Sequence, residues 1–184
     1  NSSSTADLRI DGALVGRERL LHEERKGFAV AMATLDGGRI GIAAQAVGIA
    51  RAAYEAARAY ALERHQFGKR IGEFQAIQFK LADMATEIDA ARLLTHRAAW
   101  LKQQGLPHAA EGAKAKLFAS ETARRQTSEA IQILGGYGYT KEFPLERYYR
   151  DAKVTEIYEG TSEVQRIVIA RSILAHAGRA GAHA

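Results

Sequence analysis

The stretch from Phe28 to Arg64 constrains the fold more than any other. Ile40, Ala43, Ala44, Val47, Ala50, Tyr54, Ala57 and Ala61 recur at spacings of three and four, which puts them on one face of a helix. No proline interrupts the pattern. The whole chain holds 2 prolines, Pro107 and Pro144, and such scarcity favours long unbroken helices. Gly37, Gly38, Gly41 and Gly48 fall in the same stretch, each lowering helix propensity by up to ~1 kcal/mol relative to alanine. They suit close contact between helices. Gly37-Gly38 equally suits a joint near Asp36 that would split the stretch in two.

The helical period returns further on. A second helix is expected over roughly Phe74 to Gln104, with Ile77, Leu81, Met84, Ile88, Ala91 and Thr95 on one stripe. Gly105-Leu106-Pro107 stops it and restarts the chain, glycine past one helix and proline near the next. A third runs from about His108 to Leu134, burying Ala115, Phe118, Thr122, Ser128 or Glu129, and Ile131 or Ile133. Gly135-Gly136-Tyr137-Gly138-Tyr139 breaks it, and Phe143-Pro144 opens a short helix ending near Asp151. The last begins at Thr161 or Ser162 and passes Leu174, with Ser162 as cap and Gln165 reaching back as a capping box, before a frayed tail from Gly178 to Ala184. Short connections between long helices imply antiparallel neighbours, hence an all-α, up-down four-helix bundle. Leu8 to Val15 alternates weakly and reads as one or two short strands, which are marginal without further partners.

Composition narrows the function classes. With 184 residues, 47% hydrophobic and 26% charged, the chain is long enough for a proper core and is not of disordered type. There is no cysteine, which excludes disulfides and thiolate metal sites. No apolar run approaches the ~20 residues that span a bilayer, and Asn1-Ser2-Ser3-Ser4-Thr5 lacks the layout of a signal peptide. A cytoplasmic setting is expected, or the mitochondrial matrix in a eukaryote, with no membrane association. Lys plus Arg number 26 against 21 Asp plus Glu. That excess suits a polyanionic ligand, yet both signs are interspersed as on any solvated helical surface. No nucleic-acid module is present.

Three segments carry candidate chemistry. In Ile157-Tyr158-Glu159-Gly160-Thr161-Ser162-Glu163, one carboxylate sits on a glycine-bounded turn before a helix. A general base needs to be dried without being sealed in the core, and glycine lets a ligand approach. The helix dipole favours the carboxylate, and an apolar substrate closing over it would strengthen it as a base. The plainer reading of Glu159 is an acidic residue satisfying the dipole. Gln132-Ile133-Leu134-Gly135-Gly136 permits close backbone approach to a ligand, or is simply a helix C-cap. Arg64-His65-Gln66-Phe67-Gly68 with Gln75 could hold a phosphate and cover a ring, or is a cation decorating a helix end.

Their joint order adds a further reading. Leu35-Asp36-Gly37-Gly38-Arg39, then Arg64 to Lys69, then Gln75-Ala76-Ile77-Gln78, then Gln132 to Tyr139, then Arg150-Asp151-Ala152-Lys153 with Ile157 to Gln165 resemble the C-terminal half of an acyl-CoA dehydrogenase. The resemblance covers nearly the whole chain. Members are FAD flavoproteins with an N-terminal helical domain, a β-domain and a C-terminal four-helix bundle. The resemblance implies that residues 1–27 are the last β-domain strands and a linker, and residues 28–184 the bundle. It also implies a fragment, or a chain needing a separate partner, which alone is inactive and binds flavin weakly.

In the family a glutamate removes the α-proton of an acyl-CoA thioester while the β-hydrogen leaves as hydride to flavin N5, giving a trans-2-enoyl-CoA. Glu159 matches that base in the short- and medium-chain type. In another branch the base stands at the position of Gly38, which here carries no carboxylate. Asp36, Arg39, Tyr158 and Gly160 match positions near the acyl-CoA. Arg64, Phe67 and Gln75 match contacts to the FAD diphosphate or adenosine, and Gln132, Gly135 and Gly136 another FAD contact, often across a dimer interface. Thr161 and Glu163 match the adenylate side, although Glu163 replaces the glutamine of some members. No metal is implied. The implied partners are an electron-transfer flavoprotein and further copies of the chain, as a dimer or tetramer. An acyl-CoA oxidase of the same fold and a non-catalytic helical binding or oligomerisation module are the alternatives.

Overall fold

The computed structural model describes residues 6–180, and the expectations for residues 1–5 and 181–184 lie outside them. The fold is all-α. Helix α1 spans Gly27–Glu63, α2 Gln75–Gln103, α3 Ala109–Leu134, α4 Gly136–Tyr139, α5 Leu145–Thr155 and α6 Ser162–Ala180. Between α1 and α2, strands β1 (His65–Gln66) and β2 (Lys69–Arg70) pair antiparallel, and a 3-10 turn follows at Ile71–Glu73. The hairpin bends through Phe67 and Gly68, both at positive φ (51° and 81°), as a two-residue loop requires.

Alanine sets the packing. The buried side of α1 is Arg39, Ile40, Ala43, Ala46, Ala50, Ala53, Ala57 and Ala61. It faces Gly112, Ala115, Ala119 and Ala123 of α3 through small side chains that let the axes approach closely. The most extensive contact in the molecule is α1 on α3. Helix α2 closes against both, and α5 and α6 lie on α3. Two apolar clusters result. One joins Ile40 and Ala43 to Ile88, Ala119 and Ala152. The other joins Ala57 and Met84 to Ile133, Leu134 and Leu145.

Several expectations need correction. Helix α1 is continuous through Gly37-Gly38. The two glycines make room rather than a joint: a Cβ at Gly37 would stand 2.5 Å from Lys102 Nζ, and one at Gly38 2.8 Å from Glu159 Cδ. Ala44 is exposed while Ala46 is buried. Leu8 to Val15 forms no strand, and Leu8, Ile10 and Leu14 are exposed, because no neighbouring strand is available among the described residues to complete a ladder. After Gly135, at φ 60°, the chain makes one further helical turn, α4, instead of a plain loop. Helix α5 starts as expected after Pro144 but continues to Thr155, since nothing between Asp151 and Thr155 breaks it. Helix α6 runs on as far as Ala180. Among the described residues no helix is long and apolar enough to cross a membrane, and no group of His, Asp and Glu is arranged to hold a metal.

Candidate active site

The turn between α5 and α6 is built on unusual backbone. Glu159 and Gly160 are both left-handed, at φ 54° and 88°. For glycine this is free, but for glutamate it costs roughly 1–2 kcal/mol, so the surroundings must impose it. They do so through the turn's carbonyls. Gln165 Nε2 donates to Glu159 O at 3.1 Å and to Gly160 O at 2.8 Å. Lys116 Nζ, arriving from α3, donates to Gly160 O at 2.7 Å. Ser162 N–H donates to Glu156 O at 3.1 Å and closes the loop.

The start of α6 departs from the expected capping box. Thr161 Oγ1 accepts from Val164 N–H at 3.4 Å, so Thr161 is the cap. Ser162, one residue too late to cap, is buried with its hydroxyl unpartnered. Gln165 does reach back, but to carbonyls of the turn rather than to an amide of the cap.

The turn presents Glu159 to α1. Its Oε2 is buried without a hydrogen-bond partner and lies against Gly38, where any side chain would collide with it. Among the described residues no group accepts from the Glu159 N–H. On the same stretch of α1, Arg39 Nη1 donates to Asp36 Oδ1 at 2.6 Å. Arg39 is buried, and its Nε has no partner. Tyr158 Oη donates to Gln45 Oε1 at 2.8 Å, tying the turn to α1 a second time. Burial pushes the Tyr158 phenol above its ordinary range against the opposing effect of the Gln45 bond, with the Asp151 and Glu159 carboxylates adding to it. The structure thus brings Asp36, Arg39, Tyr158, Glu159 and Gly160 together.

Charged groups that sequence reasoning passed over stand behind the turn. Lys116 is fully buried. Desolvation pulls its ammonium down to about 8, with the Arg39 cation adding to the fall and the carboxylates of Glu156, Glu159 and Glu163 opposing it. Glu156 accepts from Arg124 Nε at 2.8 Å and from Lys153 Nζ. Burial alone would raise its carboxyl, but those two hydrogen bonds outweigh it and hold it below its usual range. A signal for Lys116 did exist. It falls between Gly112 and Ala119 on the small-residue stripe of α3, where a lysine has no route to solvent.

A second region lies at the far end of α1. An open cleft of 580 Å³ is lined by Arg64, Gln132, Gly135 and Gly136, with Tyr60 and Tyr137 among its walls. The Arg64 guanidinium sits 5.7 Å from the Tyr137 ring centre and has no carboxylate partner among the described residues. A Cβ at Gly135 or Gly136 would meet nothing, so the glycines open onto free space. Phe67 and Gln75 do not line this cleft. Phe67 is 92% exposed with its ring edge-on to Phe74, and Gln75 is exposed at the start of α2. Thr161 and Glu163 sit with the Glu159 turn at the start of α6. There the backbone N–H of Glu163 itself, then the Thr161 hydroxyl, holds the exposed Glu163 carboxyl below its usual range.

Comparison with known proteins places this architecture. Residues 25–174 match the family of the acyl-CoA dehydrogenase C-terminal domain. The chain is 54% identical over 172 residues to a short-chain specific acyl-CoA dehydrogenase of Clostridium acetobutylicum, covering 94% of this chain and 45% of that protein. It is 57% identical over 173 residues to the mitochondrial short-chain specific acyl-CoA dehydrogenase of Rattus norvegicus, covering 94% of this chain and 42% of that protein. Its fold matches butyryl-CoA dehydrogenase from Megasphaera elsdenii with a TM-score of 0.86 at 56% identity, over 87% of this chain and 42% of that one. The chain therefore spans less than half the length of these relatives, and it belongs to the acyl-CoA dehydrogenase family as a C-terminal domain.

Proposed function

We propose that this chain supplies the proton-abstracting half of an acyl-CoA dehydrogenase site, with Glu159 as the base. The observation that carries the reading is the buried, unpartnered Oε2 of Glu159 facing the side-chain-free surface of Gly38. A carboxylate without a protein partner in such a place is poised for a ligand proton. The substrate would be an acyl-CoA thioester, and the product its trans-2-enoyl-CoA. In the reaction the α-carbon would give its proton to Glu159, the electron pair left behind would form the α,β double bond, and the β-hydrogen would leave with its bonding pair as hydride. FAD, when bound, would supply the acceptor for that hydride.

The residues present fit such a dinucleotide. Arg64, a cation with no carboxylate partner among the described residues, Gln132 and the bare backbone at Gly135 and Gly136 suit its polar phosphate and adenosine portion. Thr161 and Glu163 would serve the adenylate side near the turn, and Phe67 and Gln75 would contribute from outside the cleft.

The remaining steps belong to this chain's own groups. The Glu159 N–H, free of any acceptor among the described residues, would donate to the thioester oxygen and stabilise the charge that builds there as the proton leaves. Gly160 has no side chain to obstruct the reacting carbons. Arg39, fixed by Asp36, and Tyr158, fixed by Gln45, would form the wall beside them. Residues 1–27 would be the end of a β-domain and a linker and residues 28–184 the bundle, which would self-associate as a dimer or tetramer. An electron-transfer flavoprotein would take the electrons, in a bacterial cytoplasm or a mitochondrial matrix.

Anaerobic mixing of the flavin-loaded enzyme with a saturated acyl-CoA tests the reading. Loss of the yellow flavin absorbance with stoichiometric enoyl-CoA is expected, and persistent colour would contradict it.

A further inference from the structure

Lys116 is a fully buried ammonium in the interior of α3 whose hydrogen bond goes to a backbone carbonyl rather than to a carboxylate. A core position there needs no charge. Methionine would fill the same volume among Gly112, Ala115 and Ala119 without desolvation. The acceptor explains the lysine: Gly160 O belongs to one of two consecutive left-handed residues, and the other is Glu159.

We infer that Lys116 is a positioning residue for the Glu159 base: with Gln165, its ammonium holds Gly160 O inward and so keeps the turn in the one conformation that aims the carboxylate at Gly38. Gly160 O takes both donors, and Glu159 O takes only the Gln165 bond. The two clamps come from different helices, α3 and α6. Losing Lys116 leaves Gly160 O held from α6 alone, and Glu159 relaxes toward ordinary backbone, withdrawing its carboxylate from α1. The groups facing the ammonium are Glu156 at the end of α5, Arg39 on α1, Glu159 on the turn and Glu163 on α6. Their balance and its burial bring the ammonium to about 8, so mildly alkaline solution weakens the clamp by removing the charge from its hydrogen bond. The inference rests on the reading of Glu159 as the base.

The test is Lys116→Met in the flavin-loaded enzyme, followed by amide hydrogen exchange at Ser162, whose N–H closes the turn on Glu156 O. Exchange at this amide should quicken at least about tenfold while amides within α3 stay unchanged. The kcat should fall about tenfold to a hundredfold with KM within about twofold, as for a misplaced reacting group. Unchanged exchange at the turn overturns the inference whatever the rate does. If Glu159→Gln leaves the rate intact, the reading of the base fails instead, and the exchange result stands apart from it. Should the methionine variant not fold, the carbonyl ¹³C resonance of Gly160 in the unaltered enzyme decides. It should move with a midpoint near 8, and a resonance fixed from about pH 6.5 to pH 10 overturns the contact.

Discussion

The carboxylate of Glu159, on the turn before α6, occupies the space that a side chain at Gly38 of α1 would need; a Cβ there would stand 2.8 Å from Glu159 Cδ. One glycine therefore shapes the pocket of one carboxylate, although the two are distant in sequence. The glycine has no conformational reason to be there, since α1 runs straight through it as ordinary helix.

Gly38→Ala separates stability from function. Alanine in a helix interior gains up to ~1 kcal/mol over glycine, and the atom it strikes is the end of a flexible side chain that can swing away. The melting temperature should hold or rise while kcat falls at least about tenfold, because the displaced carboxylate no longer reaches its proton. Thermal unfolding and steady-state rates on the same sample check both arms. A rate equal to that of the parent enzyme would mean that Glu159 does not work from this position.

Lys116 gives stability a pH dependence of unusual sign. Its folded value of about 8 lies below the ordinary 10.5, so between them the unfolded chain holds the proton and the folded one does not. The burial penalty is therefore fully present below about 8 and is relieved as pH rises toward 10.5. It amounts to roughly 3–4 kcal/mol at most. Lys116→Met removes that penalty together with a charged hydrogen bond worth about 1.5–3 kcal/mol. Near pH 7 the two nearly cancel, and the variant should match the parent within about 1 kcal/mol. Urea unfolding at about pH 9.5 should favour the parent relative to pH 7.

Glu156 behaves in the opposite way. Its carboxyl is held below 4.5 in the fold by the Lys153 and Arg124 bonds, which outweigh burial. Its contribution is present at neutral pH and is lost as pH falls through that lowered value. Glu156→Gln should cost about 1–2 kcal/mol at pH 7, since both cations are partly solvated. The loss should vanish in strong acid, as read from unfolding midpoints at several pH values.

Arg64→Ala should raise the dissociation constant for FAD about tenfold or more, because the cleft then loses the cation on its wall that suits phosphate. Titration of flavin-stripped enzyme by fluorescence checks this. Unaltered affinity would place the dinucleotide elsewhere.

Much of the bundle was readable in the chain because helical periodicity and its punctuation are local. Gly105-Leu106-Pro107 and Gly135 mark their boundaries within a residue or two. Gly37-Gly38 misled as a joint because a glycine that yields space to another element looks like one that breaks a helix. Only the folded chain shows Lys102 and Glu159 filling that space. Leu8 to Val15 has a strand's alternation but no ladder, since pairing depends on a neighbour that local pattern does not reveal. At the site, Glu159 stood out through its glycine and the following helix. Lys116 did not, because its contact is long-range and crosses from α3, and Gln165 was legible as a residue that reaches back but not as one bonded to the carbonyls of the turn rather than to its cap.

The most direct measurement is the rate of flavin reduction by a saturated acyl-CoA in the Glu159→Gln enzyme, taken anaerobically beside the parent. Glutamine preserves the shape and cannot accept the proton. Reduction should slow by at least about a hundredfold, the usual scale of a general base, with flavin still bound. Reduction within about threefold of the parent rate would contradict the assignment of Glu159 as the base.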